Sequence, residues 1–352
     1  MRRWWDDGGL RRVVQVAAVP ITLVVAAACV RAMTSSSSAT PPAPAQVGTP
    51  AVPSAGLPTA NVPIPTSSSV PLGVYGGPGG VSTVRAFAAA TGTTASYALD
   101  YFDDSSWQTV ADPVWALTQW SRSGDRMIWG VPMLPASGAS LAQGATGQYD
   151  DQFVSLARTL VTSGQGSSTL MLGFDPDQQS NPWSVSTAAD AVAYVAYWQH
   201  IVTAMRQVPG AAFSFEWNVA GTGPISPAAL YPGDAFVDAV ATGVTDSVTV
   251  PLSAIARWAA IAGAPSGPEW FATFAGAHHK LLSVVSLILV PATTPGGGGD
   301  DPLFVQQFLA WAAQHQVATV VVWDFGSSAP VGGGFPGTLA ALAQPGGAGG
   351  QR

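Results

Sequence analysis

Residues Thr169–Trp183 read TLMLGFDPDQQSNPW, an apolar run that passes into a polar loop. The run is short and shows no alternation of polar residues, so it predicts a strand, Thr169–Phe174, that is covered on both faces. The Asp-Pro-Asp that follows, Asp175 to Asp177, is typical of the turn that ends a strand. A buried strand that carries acids into a loop with a tryptophan, Trp183, suits a site that binds or cleaves sugars.

Apolar runs of this kind recur along the chain and alternate with helical patterns. The other predicted strands are Gly73–Gly76, Ala95–Tyr101, Met127–Leu134, Ala212–Val219, Val237–Thr245, Leu281–Ile288 and Val317–Phe325. The helical patterns include Asp151–Thr162, Thr187–Gln207, Ser253–Ala262 and Pro302–His315. Apolar strands that alternate with helices indicate an α/β fold with a parallel sheet. Eight strands within residues 72–343, close to the ~250 residues typical of such barrels, predict a closed (β/α)8 TIM barrel.

The residues before the barrel carry the pattern of an export signal. Four of the first twelve residues are arginines, and an apolar run from Val13 to Val30 follows them. This predicts a signal peptide, lipoprotein signal or signal anchor over residues 1–33. The AAAC that ends at Cys29 resembles a lipoprotein box. We therefore expect an exported protein that is anchored or lipidated on the extracellular side of the membrane, or secreted after cleavage.

Two further segments flank the predicted barrel. Residues 34–71 are rich in Ser, Pro and Thr and carry no charge, so they predict a disordered linker that cannot bury enough surface to offset its ordering entropy. Residues 344–352 are rich in glycine and predict a flexible tail.

The composition excludes several kinds of partner. The chain carries 13 Lys and Arg against 20 Asp and Glu and shows no basic stripe, so we expect no nucleic-acid partner. The single cysteine, Cys29, excludes an internal disulfide and a Cys-rich metal cluster. The four histidines fall on predicted helices or helix ends, so we expect neither a metal site nor a cofactor. They are His200, His278, His279 and His315.

Functional residues of a (β/α)8 barrel lie where strands end and the following loops begin. The residues at the predicted strand ends are Tyr75, Asp100, Asp175, Glu216, Asn218, Asp246, Ser286, Trp323 and Asp324. They are mostly acids and aromatics, which suits carbohydrate recognition, because rings stack on sugar faces and carboxylates accept hydrogen bonds from hydroxyl groups. Trp183, Trp217 and Trp323 are the tryptophans that we expect to line the cleft.

The segment GFDPDQQSNPW, Gly173–Trp183, resembles the end of the fourth strand in glycoside hydrolase family 26, the β-mannanase-type hydrolases. Supporting matches are AYWQHIVTAMRQVPGAAFSFEWN (Ala196–Asn218), YPGDAFVD (Tyr231–Asp238) and GGGGDDPLFVQQFLAW (Gly296–Trp311). The resemblance covers most of Leu72–Leu342 and implies a β-linked polysaccharide or oligosaccharide as partner. It places Asp175 at the family's acid/base position, with Phe174 and Asp177 at neighbouring substrate-binding positions.

The seventh predicted strand departs from the family pattern. KLLSVVSLI, Lys280–Ile288, places Ser286 where the family carries its nucleophilic glutamate. A retaining glycosidase needs two carboxyl groups about 5–5.5 Å apart, and a serine without a nearby base is a poor nucleophile. The resemblance therefore implies a barrel whose retaining reaction is impaired, with a role in β-glycan binding at the cell surface.

Two alternatives stay open at this point. The first is an active glycosidase on mannan-type β-glycans, in which Asp175 works with a non-family carboxylate about 6.5–9.5 Å away, as inverting enzymes do. The candidates for that second carboxylate are Asp246, Glu216 and Asp324. The other alternative is a structural surface barrel that has no ligand.

Overall fold

The computed structural model describes residues 70–93 and 97–343, in which eight parallel strands close into a barrel in the order β1 to β8. The strands are β1 (Leu72–Tyr75), β2 (Tyr97–Tyr101), β3 (Arg126–Val131), β4 (Thr169–Leu172), β5 (Ser214–Asn218), β6 (Ala239–Thr245), β7 (Leu281–Ile288) and β8 (Thr319–Trp323). The first strand pairs with both β2 and β8, which closes the sheet. The predicted (β/α)8 fold is confirmed, and each predicted strand overlaps an observed one.

Helices connect the strands on the outside of the barrel. They are α1 (Val81–Thr91), α2 (Trp107–Ala111), α3 (Val114–Trp120), α4 (Leu141–Gly144), α5 (Asp150–Thr162), α6 (Ala188–Arg206), α7 (Ala254–Ala262), α8 (Pro268–Ala277), α9 (Pro302–Gln314) and α10 (Pro336–Leu342). A 3-10 turn, Pro227–Leu230, stands in place of a helix between β5 and β6. Polar side chains begin two of the long helices: Thr187 caps α6 and Asp301 caps α9 by accepting backbone N–H groups.

The predicted signal (residues 1–33), nearly all of the predicted linker and the predicted tail (344–352) lie outside the described residues. Within residues 70–93 and 97–343, no helix combines the length and the apolar character needed to cross a bilayer.

Alternate residues of each strand point to opposite sides of the sheet. The side chains that fill the barrel axis come from seven strands: Tyr75, Leu99, Ile128, Met171, Ala241, Val285 and Val321. The intervening residues face outward and pack beneath the helices in a larger apolar cluster. Whether a strand residue faces the axis or the helices is therefore decided by its position in this alternation.

A β-bulge interrupts β7 close to the mouth of the barrel. Val284 pairs with Val320 of β8 and Leu287 pairs with Val322, so two residues of β7 lie opposite one residue of β8. The two residues of the bulge are Val285 and Ser286, and they lie opposite Val321. A bulge re-aims side chains, and here Ser286 comes to lie beside Gly243 of β6.

Side chains of α6 hold the end of β4. The Tyr194 hydroxyl donates to the carbonyl of Gly173 at 3.0 Å, and the Trp198 indole donates to the carbonyl of Leu172 at 3.1 Å. Both ring systems are fully buried. These hydrogen bonds tie the end of β4 to α6, so the chain leaves β4 in a defined direction.

Candidate functional site

The loop after β4 reverses the chain at the mouth of the barrel. Gly173 has φ +54° and Asp175 has φ +44°, a left-handed conformation that aspartate tolerates better than most residues. The carbonyl of Phe174 accepts hydrogen bonds from the Trp183 indole at 2.8 Å and from Asn181 Nδ2 at 3.1 Å. These hydrogen bonds join the end of the loop to its beginning and so hold the backbone of Asp175 in place.

Asp175 lies at the mouth of the barrel, where its charge acts on the hydroxyl group of Tyr101. The residue is half-buried, its backbone N–H donates to Asn218 Oδ1 at 3.3 Å, and the described residues offer its carboxylate no hydrogen-bond donor. Burial raises the pKa of Asp175 to about 7, and the nearby charge of Asp177 adds to the rise. At neutral pH this carboxyl group can therefore either hold or release a proton.

Aromatic rings from four strand ends surround the mouth. Tyr75 contacts Tyr101 and Trp323 with ring centroids 5.4 Å and 4.7 Å apart, and Tyr101 contacts Phe174 at 4.9 Å. Phe325 packs on Tyr75 at 5.8 Å. Tyr75 is buried, whereas Tyr101, Phe174 and Trp323 each keep part of their surface exposed. Partly exposed ring surface therefore lines this end of the barrel.

Tyr101 occupies space that a glycine leaves on the neighbouring strand. A Cβ atom on Gly130 of β3 would overlap the Tyr101 ring. The pKa of the Tyr101 hydroxyl is raised well above its usual range, mainly by burial and further by the nearby acidic groups, which include Asp175 and Glu216. Tyr101 and Phe325 were absent from the strand-end residues expected to form the site. Each of them is the last residue of a predicted strand, Ala95–Tyr101 or Val317–Phe325, and that position could have marked them as site residues.

The side of the mouth formed by β6 and β7 is open and carries a hydroxyl group. Gly243 is exposed and Ser286 is half-buried. A Cβ atom on Gly243 would lie 2.6 Å from Ser286 Oγ, so the serine faces the space above the glycine. This side of the mouth presents backbone and a hydroxyl group where the family resemblance expects a nucleophilic carboxylate.

Glu216 lies inside the barrel below the mouth. It pairs in register with Met171, which faces the axis, and it is 1% exposed. Ser283 hydrogen-bonds to the carboxyl group, while Oε2 has no partner among the described residues. Burial raises the pKa of Glu216 to about 7, against a smaller lowering by Ser283. Asn218, two residues further along the same face, reaches the mouth and accepts the N–H of Asp175.

Asp100 faces away from the barrel axis and anchors a loop. Its carboxylate accepts hydrogen bonds from the Gly79 N–H at 2.8 Å, the Trp120 indole at 2.7 Å and the Tyr101 N–H at 2.8 Å. Burial raises the pKa of Asp100 to about 6, and these hydrogen bonds oppose the rise. The carboxylate therefore stabilises the β1–α1 loop and has no surface free for a ligand.

Asp177 ties the β4 loop to the loop after β5. Its two carboxylate oxygens accept three backbone N–H groups, those of Ala220 at 3.1 Å, Thr222 at 2.8 Å and Gly223 at 3.2 Å. With the residue 8% exposed, this carboxylate is occupied by the loop that it holds.

Asp246 and Asp324 lie on the outer side of the strand ends and are buried. Asp246 Oδ1 is 3.3 Å from Arg257 Nη1, which also donates to the carbonyl of Gly296 at 2.8 Å. Burial raises the pKa of Asp246 to about 6, and Arg257 opposes the rise. Asp324 Oδ1 accepts the Val331 N–H at 3.0 Å, and burial raises its pKa. Both acids hold loops in place.

The three tryptophans expected to line the cleft lie in different environments. Trp217 is fully buried outside the barrel and packs on Tyr231 and Phe274, at 5.2 Å and 5.5 Å between ring centroids. Trp183 is 1% exposed and lies against Phe174 at 5.0 Å. Trp323 is half-buried at the mouth, so it alone of the three offers ring surface to a ligand.

Among the described residues, no three His, Cys, Asp or Glu side chains are grouped in a way that could hold a metal ion. All four histidines lie on helices or at helix ends, as expected, and three are paired with acids away from the mouth.

The arrangement of the whole barrel is similar to that of several solved structures. A Bacillus subtilis mannanase, BCman, superposes with a TM-score of 0.57 at 12% identity over 80% of this chain and 87% of its own. A Cellulomonas fimi endo-beta-1,4-mannanase gives 0.56 at 14% identity over 78% and 71% of the two chains. The GH26 domain of a Prevotella bryantii endo-beta-mannanase/endo-beta-glucanase gives 0.52 at 12% identity over 79% and 89%. The chain has a family 26 mannanase-like fold.

No protein-family model and no curated protein sequence matches the chain. The family 26-like barrel therefore shares its architecture with these mannanases at a sequence identity that reports on fold alone. Within it, β4 delivers Asp175 to the mouth, and the bulge of β7 brings Ser286 to the side of Gly243. Exposed aromatic rings, one accessible carboxyl group and one hydroxyl group are what a ligand in the mouth would meet.

Proposed function

We propose that this protein binds β-linked glycans in the mouth of its barrel and does not hydrolyse them by a retaining mechanism. The observation that carries the proposal is that Asp175 is the only one of the expected strand-end acids that is not buried. Asp175 is partly exposed, whereas the other acids expected at the strand ends are at most 8% exposed and most hold loops. A retaining reaction needs a second carboxylate about 5–5.5 Å from the first, and the β7 side offers Ser286.

The aromatic residues of the mouth support glycan binding. Tyr101, Phe174 and Trp323 come from three separate strand ends and each exposes part of a ring. The C–H face of a pyranose covers apolar surface when it stacks on such a ring, which contributes about 25 cal/mol for each Å² removed from water. The mannanases with the same fold are named for β-mannan substrates, which supports a β-linked polysaccharide as partner.

Calorimetric titration of the full chain, kept in a mild detergent, with soluble β-1,4-linked tetraoses of mannose, glucose and glucosamine tests the proposal. We expect measurable binding, and we expect Trp323→Ala to weaken it by about tenfold, equivalent to ~1.4 kcal/mol. Trp270→Ala is the matched control because Trp270 lies on α8, outside the barrel. If folded protein binds none of these β-linked oligosaccharides, the proposal fails and the structural-barrel alternative gains support.

A second candidate is hydrolysis with Asp175 as the acid. It is favoured by the pKa of Asp175, which burial raises to about 7, in the range useful to a general acid. Among the three suggested second carboxylates, Asp246 and Asp324 lie on the outer side with loop partners, and Glu216 faces the axis. Reducing-sugar release from mannans that disappears in Asp175→Asn would establish hydrolysis. No release from folded wild type supports the binding role.

We also propose that residues 1–33 export the protein and tether the barrel to the membrane. The arginine-rich start and the apolar run from Val13 to Val30 support this. Fractionation of cells that express the full chain, compared with a chain that begins at residue 34, measures it. Recovery of both proteins in the same soluble fraction inside the cell would contradict the proposal.

A further inference from the structure

The mouth of the barrel contains acids without cations. Apart from Arg257, which is buried against Asp246, the described basic side chains lie on helices, in turns before strands or at the first residue of a strand. They are Arg85, Arg122, Arg126, Arg158, Arg206, Lys280, His200, His278, His279 and His315. Lys280, for example, precedes β7 and donates to the carbonyl of Asp234 at 2.7 Å. Apart from Asp246, the acids at and below the mouth thus have no basic side chain beside them among the described residues.

Two of these carboxyl groups have unmet hydrogen-bonding capacity. The Asp175 carboxylate is partly exposed and accepts no hydrogen bond from the described residues. Glu216 Oε2, on a side chain 1% exposed inside the barrel below the mouth, has no partner either. Tyr101 lies close enough to both acids to feel their charge. When ionised, each of these acids makes the potential around Tyr101 more negative, and no described basic side chain at the mouth offsets it.

A positively charged group of the ligand would supply the hydrogen-bond donors and the positive charge that these acids lack. Neutral hydroxyl groups can donate hydrogen bonds to Asp175 but cannot offset its charge, and a uronic acid would be repelled. An ammonium group supplies both the donors and the charge, and hydrogen bonds between ionised groups are roughly twice as strong as those between neutral groups.

We propose that the glycan bound by this barrel contains amino sugars with free amino groups, and that Asp175 pairs with one such ammonium group. The inference rests on the glycan-binding function proposed above and narrows its substrate class. Asp175 is the contacting residue.

The experiment compares three β-1,4-linked tetraoses of equal length: glucosamine, N-acetylglucosamine and glucose. The full chain is titrated calorimetrically near pH 6, where Asp175, with its pKa raised to about 7, is largely protonated. We expect the glucosamine tetraose to bind at least about tenfold more tightly than the other two. Because the ammonium group favours the ionised form of Asp175, its binding should release up to about one proton, which titrations in two buffers of different ionisation enthalpy measure.

Asp175→Asn is the decisive variant. Asparagine tolerates the φ of +44° at this position, so the loop should keep its fold. We expect the variant to lose the proton release and the preference for glucosamine, so that the three tetraoses bind it with affinities within about threefold of one another. Asp125→Asn, which removes one charge just before β3 at the opposite end of the barrel, is the control and should retain the preference.

Three results would overturn the inference. Neutral tetraoses that bind as tightly as the glucosamine tetraose would refute the amino-sugar preference and leave glycan binding intact. A glucosamine preference that persists in Asp175→Asn would show that another group recognises the amine. Absence of binding by all three tetraoses would refute the glycan-binding function itself, and the narrower inference with it.

Discussion

Glu216 offers a direct test of the electrostatics inside the barrel. The side chain is 1% exposed, receives a hydrogen bond from Ser283 and leaves Oε2 without a partner. Replacement by glutamine keeps the shape of the side chain and its oxygen acceptor but removes the ionisable group. The substitution therefore separates the packing of Glu216 from its charge.

Burial moves the pKa of Glu216 from 4.5 to about 7. The folded state binds the proton of the Glu216 carboxyl group more tightly than the unfolded state does. The contribution of this proton to the free energy of unfolding is therefore fully present below pH ~4.5 and is lost as the pH rises to about 7. At ~1.4 kcal/mol for each pH unit, the loss amounts to about 3 kcal/mol at pH values above the folded pKa. This is a large part of the 5–15 kcal/mol that is typical of a domain.

Urea unfolding followed by tryptophan fluorescence measures the effect. We expect the free energy of unfolding of Glu216→Gln to match the wild type within about 1 kcal/mol near pH 4.5. Above about pH 7.5 the variant should be more stable by about 3 kcal/mol, because only the wild type must then bury a charge. Glu269→Gln is the matched control, as Glu269 is the chain's only other glutamate and lies exposed on α8. It should change stability by less than about 0.5 kcal/mol.

A stability difference between Glu216→Gln and the wild type that stays constant from about pH 4.5 to about pH 8 would refute the reasoning. A glutamine variant that is less stable than the wild type at high pH would refute it as well. Either result would mean that water or an unrecognised donor reaches Glu216 Oε2 and solvates its charge.

Three further substitutions test the packing around the site. Arg257→Met leaves the buried Asp246 without its cation and should lower the free energy of unfolding by about 3–5 kcal/mol; urea unfolding should show most of the loss reversed when Asp246→Asn is added. Gly173→Ala places a methyl group among packed side chains at a residue with φ +54°, so thermal unfolding should show a loss of more than about 2 kcal/mol. Gly243→Ala adds a methyl group 2.6 Å from Ser286 Oγ in an open part of the mouth. Its stability should change by less than about 1 kcal/mol, while calorimetry should show weaker glycan binding; strong destabilisation would mean that Ser286 cannot move.

The fold is predictable because its signal repeats along the chain. Eight apolar runs alternate with helical patterns, and continuous apolar strands exclude an exposed sheet face. Boundaries differ by a few residues where an apolar run extends beyond the pairing. Met127–Leu134 continues to Leu134, for example, whereas β3 ends at Val131 because the following residues no longer pair with a neighbouring strand.

The site is less predictable because strand ends do not reveal which face a residue takes. Asp100 and Tyr101 are neighbours at the end of β2, yet the Tyr101 ring enters the mouth and the Asp100 carboxylate binds Trp120 and Gly79 on the outside. Glu216 and Trp217 divide in the same way, with Glu216 toward the axis and Trp217 beneath α8. Only the register of the closed barrel decides such pairs, since a shift of one residue exchanges the two faces.

The sequence by itself determined the eight-stranded α/β architecture, because local hydrophobic patterns extend over whole elements and are independent of distant contacts. It also determined that Asp175 follows β4 and that Ser286 lies in the seventh strand. The tertiary structure alone decided which acids are accessible. Asp175 reaches the mouth because the β4 loop turns through two left-handed residues. Asp177, in contrast, binds the backbone of Ala220, 43 residues further along the chain, and Asp246 pairs with Arg257 on the following helix. Burial and pairing of this kind depend on contacts between distant segments, which no local pattern records.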